Sequence, residues 1–243
     1  MANPTAAMLV IGDEILSGRT RDANMHYLAG QLTEVGIDLK EVRVVSDEHD
    51  DIVAAVKALS DRYDHVFTSG GIGPTHDDIT ADGVAAAFGA AIDVRNDARA
   101  ILQAHYDRQG IEMNEARLRM ARIPEGASLI DNPVSAAPGF TLENVHVMAG
   151  VPNIFQAMVA SVLPTLTGGA PLLSGTLRIN RGEGDVAAVL GALAEERPSL
   201  SFGSYPFVKD GAYGTNIVAR GTDRNEIDAA LDALRDHFGD AAG

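Results

Sequence analysis

The sequence predicts an α/β protein with a doubly wound, mostly parallel sheet, followed by a second, small α+β domain. Short apolar runs alternate with helical patterns through about the first 165 residues, which is typical of parallel strands joined by helices. Residues 166–171 then have the Thr, Gly and Pro composition of a linker. A shorter β-α-β-β-α pattern follows. We therefore expect one domain over residues 1–168 and a smaller one over residues 173–243.

Three apolar runs predict the strands that begin the sheet. Residues 6–11 form a continuous apolar run, as in strands that are buried on both faces. Residues 39–45 alternate in polarity and predict the second strand, and residues 65–68 predict a short third strand that runs into glycines. Helical spacing between the runs predicts helices around Leu28 and Val56. The loops after strands one and three should meet, because these strands end at one edge of such a sheet.

Residues that favour helix N-termini mark the elements after the third strand. Thr80 and Asn96 are each predicted to cap a helix. Asn114 is predicted to cap a third, short helix that Pro124 ends. Residues 145–148 predict a late strand, which a further helix follows.

The small domain shows a second alternation of strands and helices. Residues 176–180, 200–207 and 213–219 predict three strands. One helical face runs through residues 186–193, and another runs through residues 227–238. Together they predict a sheet covered by two helices.

The composition favours a cytoplasmic protein that binds neither nucleic acid nor membranes. The chain has 243 residues, a formal net charge of −15 and no cysteine. Disulfides and thiolate metal sites are therefore excluded, and the acidic surplus disfavours nucleic acid and anionic lipid as partners. The apolar run at residues 6–11 is too short for a signal peptide or a membrane span. An anionic small molecule stays compatible with this charge, because backbone N–H groups and a metal ion supply local positive potential.

Residues 68–80, with the sequence TSGGIGPTHDDIT, form the most informative segment. They connect the third strand to a helix, and ligands of open α/β sheets bind outside the carboxyl ends of the strands. The segment lacks the Gly-Lys-Ser/Thr of a P-loop and the third glycine of a dinucleotide fingerprint. We predict a phosphate site on residues 70–75, because glycines allow close backbone approach and a helix N-terminus favours anions; the alternative is a tight turn without a ligand. The predicted ligand-binding residues here are Gly70, Gly71, Gly73, Pro74, Thr75 and Thr80.

Two acidic pairs accompany this segment. Asp77 and Asp78 lie directly after it, and Asp13 and Glu14 follow the first strand, so both pairs should lie at one sheet edge. Carboxylates beside a phosphate repel it unless a cation lies between them. The two pairs therefore indicate a hard divalent ion that bridges carboxylate and phosphate oxygens. The alternative is that these residues only cap turns and helices.

Other residues are candidates for the same crevice. Asn24 opens a helix and either faces the crevice or caps the helix. His76 lies inside the glycine-rich segment, and no pair among the seven histidines has the spacing of a zinc site. Residues 132–133, 137–139 and 150–152 are predicted as tight loops that are either purely structural or rim the crevice.

These motifs, in this order, resemble the molybdopterin-binding domain family, in the variant of the competence/damage-inducible CinA proteins and of FAD synthases. The resemblance rests on GDEIL at residues 12–16 with Gly18 and Asn24, and on GGIGPTHDDIT at residues 70–80. It covers almost the whole chain. CinA proteins often continue into a nicotinamide-nucleotide deamidase domain, and because this chain stops near residue 243 we expect that activity to be absent. Further matches lie at residues 114–124, 138–140, 150–152 and 203–206.

The resemblance implies several roles: binding or adenylylation of molybdopterin, metal-dependent hydrolysis of pyrophosphate bonds in nucleotides, or a weakly active regulatory domain. We expect a pyrophosphatase of ADP-ribose-like or FAD-like nucleotides that uses Mg²⁺, Mn²⁺ or Co²⁺. Asp78, with Asp13 or Glu14, would hold the metal. Asp77 would be an alternate ligand or the general base, so Asp77 and Asp78 are the catalytic candidates.

Two rival hypotheses remain. One is a non-catalytic module that binds molybdopterin or a nucleotide in cofactor metabolism, and the other is a structural, partner-binding role that leaves the crevice empty. The resemblance also implies a homo-oligomer, either a dimer or a trimer.

Overall fold

The computed structural model describes residues 2–209 and 211–242 of the chain. The chain divides into two compact units, Met1–Gly169 and Ala170–Gly243, which we call the first unit and the small unit. The division falls within residues 166–171, the segment that has the composition of a linker. Met1, at the start of the predicted first domain, lies outside the described residues.

The sheet of the first unit is mostly parallel, as the sequence predicts. The described part of this unit contains the strands β1 (Thr5–Ile11), β2 (Asp38–Val45), β3 (His65–Ser69), β4 (Ile92–Val94), β5 (Arg122–Pro124), β6 (Ser128–Ile130), β7 (Gly139–Leu142) and β8 (Val145–Met148). Six of them form one sheet in the order β2-β1-β3-β8-β7-β6. The pairs β1–β2, β1–β3 and β3–β8 are parallel, whereas β7 is antiparallel to both of its neighbours. β4 and β5 form a separate antiparallel pair.

Helices cover both faces of this sheet, which confirms the doubly wound prediction. The described helices of the first unit are α1 (Asp13–Leu16), α2 (Asn24–Glu34), α3 (His49–Ser60), α4 (Thr80–Phe88), α5 (Asn96–Gln109), α6 (Glu115–Arg119) and α7 (Pro152–Val162). Leu9 of β1 shares one hydrophobic cluster with buried residues of α3, α4 and α5. Met8, on the opposite face of the strand, shares another with buried residues of α2 and α7. Burial on both faces explains why β1 is continuously apolar.

The region between α5 and α7 departs from the sequence prediction. The sequence predicts a tight loop at residues 137–139, but Gly139 begins β7. It also predicts a helix that Pro124 ends, whereas α6 ends at Arg119 and Pro124 lies in β5. Asn114 does cap α6, since its side chain accepts a hydrogen bond from Arg117 N–H at 2.9 Å. The strands β4, β5 and β6 have three residues each, which is too short for apolar alternation to reveal them.

The small unit has the predicted β-α-β-β-α order: β9 (Leu173–Ile179), α8 (Glu183–Glu196), β10 (Ser201–Lys209), β11 (Ala212–Gly221) and α9 (Arg224–Phe238). Its strands form an antiparallel sheet in the order β10-β11-β9. Buried apolar residues of the sheet and of both helices form its core. Asp210 and Gly243, which the predicted small domain includes, lie outside the described residues. In neither unit does a described helix combine the length and the apolar character needed to cross a membrane.

Candidate functional site

Four parallel strands end at one edge of the sheet, and the loops after them build the candidate site. Ile11 and Val45, the last residues of β1 and β2, are paired in register. Gly12 N–H donates to the Val45 carbonyl at 3.2 Å, and Gly70 N–H donates to the Met148 carbonyl at 3.2 Å. The loops after β1, β2, β3 and β8 therefore begin side by side.

Residues 70–75, which we call the glycine turn, leave β3 along a path that two side chains would block. Gly70 has a φ of 107° and Gly71 a φ of 68°, both in the left-handed region that favours glycine. A Cβ atom on Gly70 would lie 2.2 Å from the Ile11 carbonyl oxygen, and one on Gly71 would lie 2.1 Å from the Thr80 hydroxyl oxygen. The turn therefore requires glycine at both positions in order to pass so close to β1 and α4.

Thr80 is buried and fastens the glycine turn to α4. Its hydroxyl donates to the Gly70 carbonyl oxygen at 2.9 Å, and its N–H donates to the Gly71 carbonyl oxygen at 3.0 Å. The sequence predicts that Thr80 caps this helix and contacts the ligand. Instead α4 begins at Thr80, and Ile79 occupies the N-cap position without a capping side-chain bond. Thr80 therefore shapes the turn and presents no free hydroxyl to a ligand.

Asn24 is also buried, and it ties the end of β3 to the loop after β8. Its Nδ2 donates to Ser69 Oγ at 2.8 Å and to the Gly150 carbonyl oxygen at 2.7 Å. Its Oδ1 is buried with no hydrogen-bond partner. The sequence places Asn24 at the start of a helix, which is confirmed, but the side chain holds two loops together instead of facing an open crevice.

The two adjacent aspartates have different surroundings. Asp78 Oδ2 accepts hydrogen bonds from Thr75 N–H at 2.8 Å and from the Thr75 hydroxyl at 2.6 Å, so Asp78 closes the glycine turn. The pKa of the neighbouring Asp77 carboxyl is also lowered, chiefly by its proximity to the Thr75 hydroxyl, although the proton of that hydroxyl goes to Asp78. The His76 side chain is almost fully exposed, with Nδ1 3.8 Å from Asp77 Oδ1. Asp77 is thus the aspartate that is free to meet a ligand or a cation.

Asp47, two residues after β2, joins the acidic pairs that the sequence predicts to meet. Its Oδ2 accepts a hydrogen bond from Asp13 N–H at 2.9 Å. Burial raises the pKa of the Asp47 carboxyl, and repulsion from Asp13, Glu14 and Asp77 adds to the rise. Carboxylates from the loops after β1, β2 and β3 are therefore close enough to repel one another. Sequence reasoning missed Asp47, although the rule that parallel strands end at one edge applies equally to the loop after β2.

These loops line a cleft with a volume of about 530 Å³, which is within the range of small-molecule sites. The described residues that line it include four carboxylates and neither lysine nor arginine. Asn24, Thr75, Thr80 and Asp13, all predicted site residues, are not among the lining residues. The predicted site residues that do line the cleft are Gly70, Gly71, Gly73, Pro74, Glu14, Asp77 and Asp78, with Asp47 as the addition.

The predicted tight loops at residues 132–133, 137–139 and 150–152 contribute to the rim of this cleft through Asn132, Ala137 and residues 150–152. Asn132 is buried, and its Oδ1 accepts hydrogen bonds from the N–H groups of Val134 and Ser135, each at 3.1 Å. Its Nδ2 donates to Ser135 Oγ and to the Ala137 carbonyl oxygen, each at 2.7 Å. One amide therefore fixes the conformation of this loop, so that part of the rim is formed before a ligand arrives.

The carboxylates suit a divalent ion only in combination with a ligand. Among the described residues, no group of three or more Asp, Glu or His side chains is arranged to hold a metal ion. The potential ligand atoms of Glu14, Asp47 and Asp77 are all carboxylate oxygens, which hard cations prefer. Mg²⁺ is commonly bound by one or two carboxylates together with the phosphates of a substrate. Asp78, a predicted metal ligand, already accepts two hydrogen bonds from Thr75. The residues thus fit a metal–phosphate complex better than a free ion.

Comparisons with known proteins cover both units. A family described as "Probable molybdopterin binding domain" matches residues 7–168, and one described as "FAD synthase, middle domain" matches residues 171–242. A protein of Metallosphaera sedula is 37% identical over 164 residues, which are 65% of this chain and 62% of that protein. A probable FAD synthase of Caenorhabditis briggsae is 31% identical over 257 aligned residues, with 96% of this chain and 49% of that protein covered. The chain thus spans less than two thirds of the length of these curated relatives.

A solved structure also matches about two thirds of the chain. CinA from Thermoplasma acidophilum, described as a protein of unknown function, aligns with a TM-score of 0.62 and 32% sequence identity. The alignment covers 67% of this chain and 97% of that chain. With a family match over residues 7–168 and the CinA likeness in both sequence and structure, this chain belongs to the molybdopterin-binding domain family, in its CinA-like form.

Proposed function

We propose that the protein binds a nucleotide that contains a diphosphate, such as ADP-ribose or FAD, and hydrolyses its pyrophosphate bond with a divalent metal ion. The observation that carries this proposal is the convergence of the glycine turn with carboxylates from three separate loops. Backbone N–H groups of a turn before a helix suit phosphate oxygens. Carboxylates suit the cation that an anionic ligand needs in an acidic cleft. These residues support the proposal independently of the fold, because a fold alone does not determine a reaction.

The proposed reaction forms a bond between a water oxygen and one phosphorus atom and breaks the bridging P–O bond. ADP-ribose would give AMP and ribose 5-phosphate, with the proton of the water passing to a carboxylate or to solvent. A bound divalent ion would polarise the phosphoryl oxygens and lower the pKa of a bound water. Glu14, Asp47 and Asp77 would hold the ion with the diphosphate. Asp78 would position Thr75 and the turn, which replaces its predicted role as a metal ligand.

The neighbours of Asp47 explain why the ion and the diphosphate should bind together. Repulsion from Asp13, Glu14 and Asp77 already raises the pKa of Asp47, after the larger effect of burial. A bare diphosphate would add further negative charge to this cluster, whereas its complex with a divalent ion would lower the repulsion. We therefore expect ADP-ribose to bind more tightly in the presence of Mg²⁺, Mn²⁺ or Co²⁺ than in EDTA.

The proposal is tested by incubating the protein with ADP-ribose or FAD and each of Mg²⁺, Mn²⁺ and Co²⁺, and by measuring AMP. We expect AMP release that EDTA abolishes. The variants Asp47→Asn and Asp77→Asn should each lower the rate at least tenfold, since each removes one carboxylate from the cleft. Asp61→Asn is a matched control, because Asp61 is exposed and follows α3 just before β3, at the opposite edge of the sheet. The absence of AMP with every metal would rule out the proposed hydrolysis.

One observation favours a second candidate function, which is binding without cleavage. The described carboxylates do not form a preassembled metal site, and a module that only holds molybdopterin or a nucleotide needs none. This candidate predicts saturable binding in calorimetry with unchanged ligand afterwards. It also predicts that Asp77→Asn binds the ligand as well as the wild-type protein does. Product analysis of the calorimetry samples separates the two functions.

The resemblance to CinA-like proteins also leads us to propose a cytoplasmic homo-oligomer, either a dimer or a trimer. Light scattering after size-exclusion chromatography measures the mass of the particle directly. A mass near 25.5 kDa, which is that of one chain, would contradict this proposal.

A further inference from the structure

We infer that Arg119 supplies the positive charge that a diphosphate requires at the glycine turn. The inference rests on the proposed diphosphate ligand and adds a residue that lies outside the cleft itself. Nothing in the sequence pattern singles out Arg119, which is one of several arginines on α6 and the strand that follows.

The cleft is acidic, so a bound diphosphate needs positive charge from a nearby group. Glu14, Asp47, Asp77 and Asp78 line the cleft, and its described lining contains no cationic side chain. Neutral backbone N–H groups would have to attract a diphosphate against four carboxylates. A metal ion meets part of this demand, but a fixed cation near the turn would lower the cost of binding whether or not the ion has arrived.

A small second cavity lies against the glycine turn and contains two arginines. Its volume is about 20 Å³, enough for about one water molecule. The cavity and the cleft adjoin at the glycine turn, because five residues line both: Gly71, Ile72, Gly73, Asp78 and Met120. Arg119 and Arg122 therefore lie beside the turn and next to the cleft, although they do not line the cleft.

The two arginines differ in how their charge is used. Arg122 donates two hydrogen bonds to the Asp82 carboxylate, at 2.8 and 2.6 Å, so Asp82 neutralises it. Arg119 forms no ion pair among the described residues. Its Nη2 makes one long hydrogen bond, 3.3 Å, to the Asp78 carbonyl oxygen. Among the described residues beside the turn, Arg119 thus carries a positive charge that no carboxylate compensates.

The guanidinium of Arg119 is also incompletely hydrogen-bonded. Its Nε is buried without a partner in the protein, and buried donors are normally satisfied. A single water in the small cavity can accept from Nε, but a water does not neutralise the charge. A diphosphate bound beside Gly71 and Gly73 would compensate it. Arg119 therefore acts through the field across the turn and through the Asp78 carbonyl, as a positioning residue for the phosphate site.

The test measures the binding of inorganic pyrophosphate in the presence of Mg²⁺ by calorimetry. The variants are Arg119→Gln and Arg119→Lys, with Arg99→Gln as a control that removes the same charge from an exposed site on α5. We expect Arg119→Gln to weaken pyrophosphate binding about tenfold or more and to flatten its dependence on ionic strength. Arg119→Lys should recover most of the affinity, and Arg99→Gln should bind as the wild-type protein does. Adenosine, which carries no phosphate, should bind all variants equally.

The outcomes separate this inference from the proposed hydrolysis. Equal pyrophosphate affinity of wild-type protein and Arg119→Gln, at equal melting temperature, overturns the inference, as does a wild-type protein that binds no pyrophosphate. If Arg119→Gln does not fold, Arg119→Met replaces it, because the apolar stem is kept while the charge is lost. If pyrophosphate binding depends on Arg119 but ADP-ribose and FAD yield no AMP, the inference stands and the hydrolysis falls.

Discussion

The buried His146, which lies beside the partly buried His65, makes the first unit sensitive to acid. His146 of β8 is buried, and its Nε2 lies 3.3 Å from Nδ1 of His65 on β3. Its other ring nitrogen lies 3.0 Å from the Thr141 hydroxyl of β7. Burial, with a smaller effect of His65, lowers the pKa of His146 to about 3. His146 is therefore neutral in the folded protein across the physiological range.

The sign of the effect follows from proton linkage. An unfolded histidine has a pKa of about 6.5, so below that pH the unfolded chain binds a proton that folded His146 refuses. Stability is therefore complete above about pH 6.5 and falls as the pH drops from there toward about 3. The loss approaches about 1.4 kcal/mol per pH unit and amounts to about 2 kcal/mol at pH 5. His65 adds to it with the same sign, because burial lowers its pKa although Asp64 opposes the shift.

Urea unfolding followed by circular dichroism at pH 7 and pH 5 measures this loss. The variant His146→Gln lacks the titrating ring, so its free energy of unfolding should depend less on pH than that of the wild-type protein, by about 2 kcal/mol over this interval. The control His26→Gln replaces an exposed histidine of α2 and should keep the wild-type dependence. Identical pH dependence in wild-type protein and His146→Gln would refute the assignment of the acid sensitivity to this site.

Two further predictions concern the glycine turn. Gly71→Ala should lower the free energy of unfolding in urea by about 2 kcal/mol or more, because residue 71 has a left-handed φ of 68° and its Cβ would lie only 2.1 Å from the Thr80 hydroxyl oxygen. Gly110→Ala is the control that isolates the clash, since Gly110 has a similar φ of 67° and no atom near the added Cβ. Thr80→Val leaves the Gly70 carbonyl without its hydroxyl donor and should cost about 1–2 kcal/mol while it weakens pyrophosphate binding. Unchanged stability and affinity in Thr80→Val would show that the turn holds its shape without that bond.

Periodicity and the edge rule of parallel sheets account for most of what the sequence could predict. The strand β1 is predictable from the sequence because burial on both faces requires a continuous apolar run. The glycine turn is predictable because few segments combine so many turn residues with two carboxylates. The rule that parallel strands end at one edge of the sheet predicts that Asp13 and Glu14 lie near Asp77.

The remainder depends on tertiary contacts that a sequence pattern does not contain. Thr80 is of a residue type that often caps helices, yet its hydroxyl donates to the carbonyl oxygen of Gly70, which lies ten residues earlier in the chain. Asn24 is committed to Ser69 and Gly150, both distant in sequence. Asp47 carries no motif of its own, and its significance appears only when three loops are seen together. Local sequence patterns therefore predict where such a site lies more readily than they predict which contacts its side chains make.

The amide of Asn24 also joins two of the loops that line the cleft. It joins the end of β3 to Gly150, and there a Cβ atom on Gly150 would lie only 3.2 Å from the Cα of Gly70. The loops that carry Gly70 and Gly150 are already in contact there, so they cannot close further on a ligand. Because Gly70 and Gly150 are in contact, no part of a ligand passes between them, and a ligand must fit the cleft on the remaining sides.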